Sequence, residues 1–132
     1  MRVFFALLLM TVAAPAISPT ESRLERQVRF WQHRLGLDEW TISLRVVRQL
    51  ELSRDSWGSS EWDDERKTAI VSVLDPRDYN LRGGELRLDM ECTIVHELVH
   101  LQVAPLAARD AGTREDVVNK IMGALMNRPC PN

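Results

Sequence analysis

The stretch TIVHELVH, residues 93–100, constrains this chain more than any other segment, because it places two histidines and a glutamate in an apolar run. Polar side chains are costly to bury unless another group satisfies them. A helix advances about 100° per residue, so His96 and His100 project from one face, one turn apart. Two neutral imidazoles at that spacing can hold one Zn²⁺, which would satisfy both rings at once. The segment therefore predicts a buried helix with a zinc site.

Glu97 directly follows the first histidine and lies on an adjacent face of the predicted helix. Zinc lowers the pKa of a bound water from about 15.7 towards 7, so a neighbouring carboxylate can accept the water's proton. Glu97 could then return this proton to the amine that leaves a cleaved amide. The competing interpretation is a structural helix with two hydrogen-bonded core histidines. The pattern HELVH favours zinc-dependent amide hydrolysis over that interpretation.

A third metal ligand is expected downstream of the motif. A catalytic zinc usually takes three protein ligands and a water, and no histidine follows His100. A carboxylate is therefore the predicted ligand, with Asp110, Glu115 and Asp116 as candidates. Asp116 stands three residues after Thr113, where a capping box would occupy it with a backbone N–H. Glu115 has no such competing contact, and we select it.

Asn119 lies four residues after Glu115, so both side chains share one face of the last predicted helix. A ligating histidine usually gives its second ring N–H to a nearby acceptor, which fixes the orientation of the ring. Asn119 could provide that acceptor; otherwise it is an ordinary surface amide. We predict the first role, next to the metal ligands.

The composition supports a single globular domain and gives no reason to expect nucleic acid as a partner. The 132 residues are 45% hydrophobic and 27% charged, which is typical of one folded unit. Seventeen Lys and Arg residues against nineteen Asp and Glu give a formal net charge of −2, without a basic cluster. Nucleic-acid binding would require a basic surface. We expect a monomer.

Residues 1–16 are predicted to be a secretory signal peptide, with residues 17–132 as the mature domain. Arg2 supplies a positive start, an apolar run follows, and Ala14-Pro15-Ala16 is a small-residue cleavage pattern. The apolar run is about a dozen residues long, against the roughly 20 that a spanning helix needs. We therefore expect a secreted or periplasmic protein with no stable membrane span after cleavage. The alternatives are an uncleaved anchor and a mistaken start site.

Two cysteines, Cys92 and Cys130, remain in the mature chain. In an exported protein an even pair indicates a disulfide, which here would tie the C-terminal tail to the helix with the HELVH motif. Two free thiols are the second possibility. A metal-ligand role for Cys92, four residues before His96, is the third.

Hydrophobic periodicity predicts an α+β fold. Apolar residues at spacings of three and four indicate helices, and alternating or β-branched runs indicate strands. The predicted elements are a helix over residues 20–37, strands over 40–47, 57–62 and 68–74, a loop over 77–84, a helix through 93–101 and a helix after Gly112. The start of the HELVH helix stays open between residues 85 and 91, because ELRLD could also form a short strand. Pro105 is expected to end that helix.

With these motifs in place, the sequence resembles the minimal gluzincins, which are small zincin metallopeptidases with a glutamate as third zinc ligand. The resemblance rests on ECTIVHELVHL, with looser matches in LGLDEWTISLRVV, TAIVSVL and TREDVVNKI. It implies a minimal zincin-like fold: an N-terminal helix, a three-stranded sheet, the HExxH active-site helix and a C-terminal helix. It also implies a cleft between the sheet edge and the active-site helix, where a substrate strand adds to the edge.

The resemblance also implies site roles and a function. His96, His100 and Glu115 would ligate zinc, Glu97 would be the general base, and Asn119 stands where gluzincins often have an acid that orients a ligand. The expected protein is a zinc metallopeptidase that acts on a peptide or protein substrate. The alternative is a non-catalytic, zinc-stabilised module that binds a peptide or a cell-wall partner. Glu97 favours the enzyme, because a structural zinc site needs no base and usually fills all four coordination positions.

Overall fold

The computed structural model describes residues 13–105 and 111–131, which form an α+β domain. Its helices and strands are α1 (Pro19–Arg34), β1 (Thr41–Val47), β2 (Gly58–Asp63), β3 (Thr68–Leu74), α2 (Gly83–Val103) and α3 (Ala111–Leu125). Two short 3-10 turns lie in the connections, at Gln49–Glu51 and Pro76–Asp78. The predicted fold class and the order of one helix, three strands and two helices are confirmed.

The three strands form one mixed sheet in the order β1-β3-β2. The central strand β3 pairs in parallel with β1, where Ala69 faces Ile42, and antiparallel with β2, where Val71 faces Ser60. Within the described residues, the outer side of β2 has no further strand beside it. The sheet therefore presents β2 as a free edge, and β2 also contacts α2.

One face of the sheet packs against α1 and α2 to form the hydrophobic core. Val71 and Val73 of β3 are fully buried in one cluster with Leu24 of α1 and with Ile94 and Leu98 of α2. Full burial of a side chain of this size stabilises the fold by about 1.5–3 kcal/mol. These contacts fix both the position of α2 against the sheet and its rotation about its own axis.

The helix α1 begins and ends close to the predicted positions. Ser18 caps its start: the Ser18 side chain accepts from the backbone N–H of Glu21, and the Glu21 carboxylate accepts from the backbone N–H of Ser18. The helix ends at Arg34, three residues before the predicted end. Gly36 adopts a φ of +68°, the left-handed conformation that commonly terminates helices.

The helix α2 starts earlier than predicted. Gly83 and Gly84, assigned to a loop from sequence, are its first two residues, and ELRLD is helical rather than a strand. Both Leu86 and Met90 pack on the core. Because these residues are four apart, a helix brings both onto one face, whereas the alternation within ELRLD alone suggested a strand.

The capping box predicted at the start of the last helix is wrong. Thr113 is not the cap, because α3 already includes Ala111, so Asp116 lies inside the helix. Val117 is 39% exposed, and Val118 is the only buried residue between Ala111 and Leu125. The helix α3 therefore packs on the domain along one narrow side.

Residues 1–12 lie outside the described residues and include most of the predicted signal peptide; Asp110 lies outside them as well. Residues 13–18 have no regular secondary structure. In the ranges 13–105 and 111–131, no helix combines the length and the apolar character that crossing a membrane requires. Signal cleavage and export stay predictions.

Candidate metal centre

His96 and His100 project from the side of α2 that does not pack into the hydrophobic core. Its opposite side is anchored by apolar residues of the same motif region, such as Val95 and Leu98, which are fully buried. The side chains of His96 and His100 are 20% and 11% exposed. The apolar residues of TIVHELVH thus fix the helix rotation that turns both imidazoles towards α3.

Glu115 of α3 places its carboxylate against both imidazoles. Its Oε2 lies 3.2 Å from Nε2 of His96, its Oε1 lies 2.9 Å from Nε2 of His100, and the two Nε2 atoms are 3.1 Å apart. Donors at about 2.0–2.1 Å from a tetrahedral zinc lie about 3.3 Å from one another, close to these separations. The three side chains therefore fit a zinc ion.

The side chains of His96, His100 and Glu115, called the donor group below, differ from the other acidic and histidine side chains in how closely their ligand atoms converge. Among the described residues, it is the one group of three His, Cys, Asp or Glu residues whose donor atoms lie within 4.8 Å of each other. Asp116 is exposed and is not part of the group. Three protein donors leave a fourth coordination position for water or substrate, which is the arrangement of catalytic zinc sites.

Asn119 contacts the first histidine from α3. Its Oδ1 lies 3.1 Å from Nδ1 of His96, so an N–H on Nδ1 can donate to it. With the proton on Nδ1, the lone pair of Nε2 is free and is directed at the donor group. Asn119 thus occupies the place that the sequence predicts for a residue that orients a ligand.

Burial favours the neutral form of the second histidine. It lowers the pKa of His100; the carboxylate of Glu115 opposes this effect, while His96 and Arg114 add to it. Neutral imidazole is the form that binds a metal ion, since a protonated ring has no free lone pair. The protein environment of His100 is therefore suited to ligation.

Glu97 is a buried carboxylate beside the donor group. The residue is 6% exposed, and burial raises the pKa of Glu97 to about 7, an effect that the hydrogen bond from Ser60 opposes and the charge of Glu115 reinforces. A carboxyl group that titrates near neutral pH is well matched to proton transfer. Ser60 was not identified from sequence, because a serine in a strand gives no indication of the helix residue that it faces.

Gly58 allows β2 to lie close to the face of α2 that carries Thr93 and Glu97. A Cβ atom at this position would be 2.5 Å from Cγ2 of Thr93 and 2.7 Å from the backbone oxygen of Ser72. No side chain fits there without movement of the strand or the helix. This close approach brings β2 next to Glu97, whose Oε1 lies 3.3 Å from the same Cβ position.

Two clefts meet at the donor group, and both are lined by His96, Glu97, Glu115 and Gly58. The first cleft has a volume of about 450 Å³ and extends along α2 towards the buried Asp89. The second cleft has a volume of about 360 Å³ and extends between β2 and the start of α3. The residues that line only the second cleft are Ser59, Ser60, Trp62, His100, Ala111 and Arg114.

Tyr79, the only tyrosine of the chain, is not among the residues that line either cleft. Its ring stacks on Trp57 at a centroid distance of 5.5 Å, and Trp57 forms part of the first cleft. Burial raises the pKa of Tyr79, and the nearby charge of Asp89 adds to this. Tyr79 therefore supports the wall of the first cleft and stays a neutral phenol.

Cys92 and Cys130 form a disulfide, the first of the three possibilities drawn from the sequence. Their Cα atoms are 6.1 Å apart, and 38 residues separate them in the chain. Cys92 lies one helical turn before His96 and lines the first cleft, whereas Cys130 follows α3. The bond thus ties the segment after α3 to the helix that bears both histidines.

The structure brings most of the sequence-predicted site residues together. They are His96, Glu97, His100, Glu115 and Asn119. Ser60 and Arg114 also belong to the site but were missed, because their contribution depends on how β2 and α3 pack on α2. No short sequence signal encodes such long-range packing.

Comparison with known proteins returns no match: no protein-family model, no curated protein and no solved structure is similar to this chain. The case for a function therefore depends on the geometry of the site itself.

Proposed function

We propose that this protein is a zinc-dependent metallopeptidase. The observation that carries the proposal is the convergence of His96, His100 and Glu115 at zinc-ligand spacing beside the buried carboxylate of Glu97. A closed structural site would use a fourth protein ligand and would gain nothing from such a carboxylate. The resemblance to minimal gluzincins agrees with this arrangement and is part of the proposal.

The chemistry assigns separate tasks to the residues. A bound zinc ion would polarise a carbonyl group and make a water molecule acidic. With the metal in place, Glu97 would take a proton from the water that attacks the amide carbonyl and return it to the nitrogen of the leaving amine. Ser60 lies beside the Glu97 carboxylate and can donate its hydroxyl to it, and Nδ1 of His96 can donate to Asn119, which would keep that ring oriented.

The free edge of β2 offers a place for the substrate backbone. Leu74 donates its N–H to the carbonyl oxygen of Trp57, which makes this a hydrogen-bonded pair of the antiparallel ladder. Alternation along the strand then directs the backbone groups of Ser60 and Trp62 away from β3, towards the second cleft. A peptide in extended conformation can pair with them and cross the donor group.

The proposed location is outside the cytoplasm, in a secreted or periplasmic form. The disulfide between Cys92 and Cys130 supports it, because such bonds persist in oxidising compartments.

The decisive test compares the wild type with Glu97→Gln at matched zinc content. We expect one zinc per chain in both proteins and a loss of about 10²–10⁴-fold in cleavage of a peptide library in the variant, since the base is removed. Glu85→Gln makes the same change in the first turn of the same helix, outside the site, and should cleave like the wild type. Zinc-loaded wild type without any cleavage would instead support the non-catalytic binding module.

A further inference from the structure

The two clefts that meet at the donor group differ in charge. The carboxylates of Asp55 and Asp89 line the first cleft, and its described lining contains no Lys or Arg. Among the described residues that line the second cleft, Arg114 is the one Lys or Arg, and the carboxylates are those of Glu97 and Glu115, which both clefts share. A charged group of a substrate would therefore meet a different electrostatic environment in each of the two clefts.

Arg114 faces the second cleft from α3. It directly precedes Glu115 and is exposed, and none of the ion pairs among the described residues involves it. It lines this cleft together with His100 and Glu115. The opposite wall of the same cleft is the free edge of β2. A peptide paired with this edge would run past Arg114.

We propose that the second cleft binds a carboxylate of the substrate through Arg114, so that the protein selects peptides with an anionic group on this side of the cleaved bond. The inference rests on the proposed peptidase function, because it assigns the substrate of that same site. The guanidinium offers a planar pair of N–H donors that matches the two oxygens of a carboxylate. The acidic lining of the first cleft repels the same group, which fixes the side on which it binds.

The test uses zinc-loaded full-length protein and pairs of peptides that differ only by Glu or Gln. We expect the wild type to favour the Glu peptide by about three- to fivefold in kcat/KM, chiefly through KM, which is typical of an ion pair at an exposed site. Arg114→Ala and Arg114→Gln should abolish the preference, and Arg114→Lys should restore part of it. Lys120→Ala removes a charge from the same helix but outside both clefts, and should retain the preference.

Two further peptide sets identify the source of the carboxylate. One set carries Glu and an amidated C-terminus, and the other carries Gln and a free C-terminal carboxylate close to the cleaved bond. If the Arg114→Ala variant loses activity only on the first set, the bound carboxylate belongs to a side chain. If it loses activity only on the second set, the bound carboxylate is the C-terminus of the peptide. Equal cleavage of Glu and Gln peptides by an active wild type would overturn the inference. So would an equal loss of kcat for both peptides in Arg114→Ala, because Arg114 would then act on the reaction and not on the carboxylate.

A binding measurement separates this inference from the proposed function. Trp62 lines the second cleft, so its fluorescence should report peptide binding to the zinc-loaded Glu97→Gln protein. We expect Glu peptides to bind about three- to fivefold more tightly than Gln peptides, and this difference to vanish when Arg114→Ala is added. This result would stand even if the wild type cleaved nothing. Absence of any difference would contradict the role of Arg114.

Discussion

The two helices that supply the donor atoms are held in very different ways. Eleven residues of α2 are buried, whereas Val118 is the only buried residue of α3. His96 and His100 are therefore preset by the core of the domain. The position of Glu115 depends on few apolar contacts and on the disulfide that follows α3. One part of the site is thus fixed by the hydrophobic core, and the other depends largely on a covalent crosslink.

The two helices should differ most in how much free energy of unfolding is lost when one of their packed apolar side chains is truncated. Leu98→Ala removes a fully buried side chain from α2 and should lower the free energy of unfolding by about 3–5 kcal/mol. Ile121→Ala removes a half-buried side chain from α3 and should cost less than about 1.5 kcal/mol. Urea unfolding of the metal-free proteins measures both values. Equal losses would show that α3 is as firmly anchored as α2.

Removal of the disulfide should have the next largest effect on the free energy of unfolding, and it should loosen mainly α3. The bond closes a loop between Cys92 and Cys130, 38 residues apart, and its removal should lower the free energy of unfolding by about 2–4 kcal/mol. In the double variant Cys92→Ser, Cys130→Ser, zinc affinity should also fall, because Glu115 is less well positioned.

A second comparison separates these two effects of the disulfide. Adding Glu115→Ala to the wild type and to the cysteine variant should weaken zinc binding less in the cysteine variant, where the glutamate is already displaced. Competition with a chelator measures the affinities. Equal losses in both backgrounds would mean that the disulfide stabilises the domain without positioning Glu115.

The buried carboxylate of α2 should make the stability of the metal-free protein depend on pH. The pKa of Glu97 is about 7 in the folded protein against an ordinary value of 4.5, so the folded state holds the proton more tightly. Its contribution is complete below pH 4.5 and is lost as the pH rises through 7. As the pH rises from acidic to alkaline, the free energy of unfolding of Glu97→Gln should therefore increase by on the order of 1–3 kcal/mol relative to that of the wild type. A constant difference in urea stability across this range would contradict the burial of an ionisable group.

The contrast between α2 and α3 also explains what the sequence could predict. The fold class and the HELVH helix follow from local patterns, because hydrophobic periodicity reports directly on which side of an element is buried. The choice of Glu115 over Asp116 relied on a capping box that α3 does not form, although the structure does place Glu115 against both histidines. Contacts between distant elements, such as Ser60 with Glu97, have no local signal.

The smallest expected effect concerns Asn119, which links the two helices through one hydrogen bond of 3.1 Å to His96. Asn119→Ala should weaken zinc binding by about tenfold, at the low end for residues that orient a metal ligand, since His96 is also held by the rotation of α2. The change should leave the stability of the metal-free protein within about 0.5 kcal/mol, because the amide is exposed. Asn127→Ala, after the end of α3, is the matched control. If Asn119→Ala leaves zinc affinity unchanged, the core contacts of α2 alone orient His96, and α3 contributes only the carboxylate of Glu115 to the site.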